Sequence, residues 1–153
     1  MTPRRRLGWA RVIDMLERYL TLRADWPVTS PLGKLSEGGT DDVRRGESGT
    51  LMWVVDVGGC LDRMPTKECE RVVEVTHVRM AEEDAIAMAT THELSAHRSG
   101  VVCDVRDMHA RSKREWRRVA NDHQRRRRRL ETKVYERGMD RLSVMFAEIE
   151  VDK

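Results

Sequence analysis

The chain lacks the features that announce several large protein classes. Its 153 residues contain no uncharged apolar run near the length of a membrane-spanning helix, which needs roughly 18 to 20 residues. No membrane is therefore expected as a partner. The opening Met1 to Ile13 is basic, but Arg11 and Asp14 interrupt any apolar stretch, so a secretory signal is not expected. Cysteine is scarce: there are three, an odd number with no C-x-x-C pair. That argues against a disulfide framework and suits a reducing cytoplasm. Phosphate-loop and dinucleotide-binding glycine motifs are missing, and Gly58-Gly59 leads into neither. No serine sits in a nucleophile elbow, and no pair of acids stands in a hydrolase context. Neither a catalytic site nor a cofactor is expected.

Zinc is the main chemical alternative. Cys60, Cys69, Cys103, His92, His97 and His109 are suitable ligand types. Their spacing matches no finger or knuckle, and His92 and His97 are one residue too far apart for H-E-x-x-H, so they share no helical face. Small buried side chains or bystanders is the stronger reading for the cysteines, and no metal is expected.

Charge is what the chain has in abundance, at 36% of residues against 39% hydrophobic, which still leaves enough apolar side chains for a modest core. The net charge of +3 is unevenly spread. Residues 1 to 60 carry +1, residues 61 to 100 carry −3, residues 101 to 137 carry +7, and the remainder carries −2. A basic block between acidic flanks is the footprint of a polyanion-binding protein, most often one that binds nucleic acid. The competing reading is a solvated helix face.

The periodicity is mostly helical, and the fold class expected is mostly α. We expect an N-terminal helix within residues 1–25, an irregular loop or linker over 26–49, and a helical nucleic-acid-binding domain over 50–153. Trp9, Val12, Ile13, Leu16, Tyr19 and Leu20 repeat at helical spacing. Residues 26–49 are rich in glycine and proline, with Trp26 a candidate anchor for a protein partner. Leu51 to Met64 reads as helix or strand, and the RVVEVTHV run leaves the same ambiguity. Pro65 marks a helix start. Glu82-Glu83-Asp84 looks like the acidic first turn of a further helix ending before Gly100. Tyr135, Met139, Leu142, Phe146 and Ile149 form an a/d seam fit for packing or a small homodimer interface. The nine methionines fit irregular core gaps better than an adaptable surface.

Within the basic block, Ser112-Lys113-Arg114-Glu115 matches a capping box, predicting a helix from Lys113. A polar break is expected at Asn121-Asp122-His123-Gln124, with a second helix starting in the arginine run. Helix, turn, helix is the plan of a DNA reader whose second helix enters the major groove. The DNA-binding residues expected are Lys113, Arg114, Arg117, Arg118, Arg125, Arg126, Arg127, Arg128, Arg129, Thr132 and Lys133. Five consecutive arginines more than encircle a helix and would clamp phosphates. At a helix N-terminus, however, they would oppose the macrodipole. Arginine-rich helices also bind RNA hairpins, so RNA stays open as a partner behind duplex DNA.

GGCLDRMPTKECERVVEVTHVRM resembles the L-x-x-[LM]-P…E…V…Y helix of sigma-factor region 4 and related phage regulators, in which a helix-turn-helix and a closing helix follow. VYERGMDRLSVMFAEI is similar to that closing helix. WARVIDMLERYL followed by WPVTSP is similar in layout to phage late-gene regulators of the Q antitermination type. The resemblance implies a phage transcription regulator in the cytoplasm of a bacterial host. It would bind DNA near a late promoter and engage host RNA polymerase as an antiterminator. An arginine-rich RNA-binding regulator and a viral DNA-packaging or assembly adaptor are the alternatives.

Overall fold

The computed structural model describes residues 5–25, 41–98 and 103–151. These form five helices: α1 (Trp9–Asp25), α2 (Asp41–Asp62), α3 (Thr66–Arg98), α4 (Cys103–Leu130) and α5 (Lys133–Val151). No strand occurs among the described residues, as the mostly α expectation requires. The chain divides into two units, Met1–Val73 with Lys133–Lys153, and Glu74–Thr132.

In the first unit α5 packs against both α1 and α2, which also touch each other. The seam expected in α5 is its core face: Met139, Leu142 and Phe146 are fully buried, and Tyr135 nearly so. Those side chains are consumed by packing within the chain. From α1, Val12 and Leu16 meet them as the helical spacing predicts, joined by Met15. Trp9 lies instead at the rim, 39% exposed. Its ring stands edge-on to Tyr135, and its indole N–H donates to Asp140. Gly8 caps α1, its carbonyl accepting from the Arg11 and Val12 amides.

Leu51 to Asp62 is helix. Leu51, Val54, Val57 and Leu61 are buried while Met52 and Val55 face outward, a three-four period that an alternating strand cannot produce. The RVVEVTHV run is helical for the same reason, burying Val72, Val75 and Val78. Of the stretch expected to be irregular, residues 26–40 and Trp26 lie outside the described residues, and residues 41–49 belong to α2.

Pro65 starts α3 as expected, its carbonyl accepting from the Cys69 amide. The buried Glu68 carboxylate accepts from Arg141 at 2.7 Å, joining the start of α3 to α5. A Cβ at Gly138 of α5 would lie 2.6 Å from Val72 Cγ2 and 3.3 Å from the Glu68 carbonyl oxygen. Only glycine permits this approach.

Three expected helix boundaries are corrected. α3 runs unbroken through Glu82-Glu83-Asp84, which lie mid-helix. α4 runs through Ser112, which caps nothing, and through Asn121 to Gln124, where the polar break was expected. None of these segments contains glycine or proline, so nothing interrupts the hydrogen-bond ladder. The interruption comes at Glu131-Thr132, where the Glu131 amide closes on the Arg127 carbonyl and the Thr132 amide on that of Leu130. The arginine run therefore occupies the last turns of α4. Basic side chains there complement the macrodipole instead of opposing it.

Phe146→Ala should lower unfolding free energy by about 3 to 5 kcal/mol, measured by urea denaturation. Gly138→Ala should cost about 1 to 3 kcal/mol despite alanine's better helix propensity. Adding Val72→Ala should recover part of that loss, a coupling that a double-mutant cycle reads directly.

Candidate nucleic-acid interface

The second unit is an antiparallel pair made by α3 from Glu74 onward and α4. Its cross-links fix the direction: Glu74 with Arg126 at 3.6 Å, Glu82 with Arg127 at 2.9 Å, and Glu93 with Lys113 at 2.9 Å. Little apolar surface is buried between the two helices. Val75, Val78, Ala85, Ala89 and Ala120 are the buried aliphatic side chains among the described residues of this unit.

This pairing sorts the eleven expected DNA-binding residues. Arg127 points inward: its guanidinium donates to Glu82 at 2.9 Å and to Glu131 at 2.6 Å. Glu131 also accepts from Arg79 at 3.4 Å. The Arg127 and Glu82 side chains are only 15% and 13% exposed. The hydrogen bond to Glu82 pushes the Arg127 pKa up against the opposing cost of burial, with Glu131 adding to the rise. Lys113 is half-buried and holds Glu93, and its hydrogen bond depresses the Glu93 carboxyl. Arg126 leans toward Glu74.

The remaining arginines face solvent. At about 100° per residue, positions 111, 114, 118, 125 and 129 fall within about 60° of one another over a length of about 27 Å. All five side chains are exposed. Arg111, Arg114, Arg118 and Arg129 make no ion pair among the described residues, and Arg125 has a loose one to Asp122 at 4.0 Å. Arg117 and Arg128 are exposed beside this stripe. Arg111 escaped the sequence reading, although its spacing of three and seven to Arg114 and Arg118 continues the same face. Thr132 lies in the turn, and Lys133 opens α5 in the other unit.

The candidate zinc ligands do not converge among the described residues, where no group of three or more His, Cys, Asp or Glu side chains could hold a metal ion. Cys60 is buried in the first unit and accepts from Arg63 at 3.3 Å. Burial pushes its thiol pKa up, with Arg63 opposing. His92 and His109 meet Nδ1 to Nδ1 at 3.0 Å with ring centroids 5.2 Å apart.

No protein-family model, curated protein or solved structure matches the chain.

Arg127→Met should destabilise α4 by about 1 to 3 kcal/mol, because two partly buried carboxylates lose a charged donor. Arg129→Ala should leave thermal unfolding by circular dichroism unchanged within error. Equal effects of the two substitutions would contradict the inward placement of Arg127.

Proposed function

We propose that the protein binds duplex DNA through the outward arginine stripe of α4. The observation that carries this reading is the five-residue alignment of Arg111, Arg114, Arg118, Arg125 and Arg129 on one exposed helix face. Five guanidinium groups spread over about 27 Å can neutralise phosphates along a backbone and release their counterions. The major groove of B-DNA is about 12 Å wide and admits an α-helix, and arginine pairs bidentately with guanine there. The major groove of A-form RNA is too narrow for this. Binding of single strands leans on aromatic stacking platforms, and this stripe carries no aromatic side chain.

The regulatory role rests on the resemblance to phage late-gene regulators, with host RNA polymerase as protein partner. Co-purification of polymerase from nuclease-treated host lysate on the immobilised chain supports that role, and its failure removes it without touching DNA binding.

Titration against a labelled duplex, an unrelated duplex and an RNA hairpin tests the interface itself. Affinity for duplex should fall with salt at a log–log slope of about −4 to −5 if each stripe arginine neutralises one phosphate. Arg114→Ala or Arg118→Ala should each reduce the slope by about one, and Lys113→Ala should leave it nearly unchanged. Equal binding to all three probes would mean a general polyanion binder. No binding at low salt would mean that the stripe is a solvated surface.

A further inference from the structure

Between positions 114 and 128, α4 carries one exposed sector that is all arginine but for a single residue. At about 100° per residue, Arg114, Arg117, Arg118, Arg125 and Arg128 fall within a sector about 100° wide and about 21 Å long. Asn121 is the remaining residue of that sector, and all six side chains are exposed. It stands at the middle in both directions. Arg114 and Arg128 lie seven positions away on either side, about 10 Å along the axis. Arg117 and Arg118 lie one turn before it and Arg125 one turn after. The acids of this stretch are outside the sector: Glu115 and Asp122 lie beyond Arg118 around the helix, where Asp122 meets Arg125 loosely at 4.0 Å. Gln124, the other amide nearby, is half-buried and turned into the groove toward Glu82 and Ile86 of α3.

Nothing within the chain accounts for an asparagine at this position. Its side-chain amide has no hydrogen-bond partner among the described residues. Asparagine is also a poorer helix former than alanine or the arginines around it, because its amide competes for backbone groups. We infer that Asn121 reads an adenine in the major groove of duplex DNA while the arginines around it hold the phosphates on either rim, an assignment that rests on the duplex-binding reading above. Side-chain length separates the two tasks. An arginine can bend away to the phosphates, whereas the short asparagine touches a base only where the helix comes closest, at the centre of the contact face. There the amide matches adenine, donating its N–H to N7 and accepting from the N6 amino group. No other single base offers that adjacent donor and acceptor in the major groove: guanine presents two acceptors, cytosine a donor and thymine an acceptor. A sector free of carboxylates can approach phosphates on both rims without like-charge repulsion.

The test uses the full chain and a pool of duplexes randomised over about two helical turns. Duplexes retained by the wild-type chain should share an A·T pair at one position, and any other pair there should weaken binding about 5- to 150-fold. Replacing that adenine by 7-deazaadenine, which lacks the N7 acceptor, should weaken binding of the wild-type chain and leave that of Asn121→Ala unaffected. Asn121→Ala should lose the preference at that one position, keep those elsewhere and keep the log–log salt slope. Alanine is the better helix former, so thermal unfolding of this variant by circular dichroism should not fall. Retained duplexes that share no A·T pair overturn the inference. So does a preference that Asn121→Ala leaves intact or weakens equally at every position. In both cases duplex binding itself stands, whereas a chain that retains no duplex at low salt removes that reading and this inference with it.

Discussion

The hydrogen-bonded ion pair between Arg127 and Glu82, shared with Glu131, decides which way α4 faces. A run of five arginines has no preferred side of its own, because every azimuth of the helix carries a guanidinium. Only the one that finds carboxylates in a mostly buried setting can point inward without a large desolvation cost. Once Arg127 takes that place, Arg125 and Arg129 are turned to solvent and fall into line with Arg111, Arg114 and Arg118.

The two units are held by different physics. In the first, Phe146, Leu142 and Met139 of α5 are sealed against α1 and α2, and the close approach of Gly138 to Val72 adds shape complementarity. In the second, charge pairs between helices replace most of the apolar core. Apolar burial is not subject to ionic screening, whereas exposed pairs such as Glu74 with Arg126 are screened by salt. Arg127 and Glu82 are sheltered from that screening. A helix pair tied in this way exposes apolar side chains that a thicker unit would bury, and Met88, Met108 and Val119 are those side chains.

Much of the fold was legible in the residues. The α5 seam, the α1 stripe and the helix start at Pro65 follow from spacing and from proline's missing amide hydrogen. The helix boundaries around residues 81, 113 and 121 were not legible. Acidic clusters, a capping-box match and polar tetrads also occur inside helices, and without glycine or proline they do not stop one. The basic block was evident from charge counting alone. Its internal division was not, since Lys113 and Arg127 differ from Arg114 and Arg129 only in what lies opposite them.

The amino-acid sequence by itself determined that the chain is helical, where its central seam runs and where its positive charge accumulates, because periodicity and charge are local properties. Tertiary structure alone decided that α3 and α4 are unbroken, and that Glu82 stands where Arg127 can reach it from 45 positions away in the chain. It also decided which arginines remain for a partner. Facing direction is a property of two helices together, and no single stretch of sequence contains it.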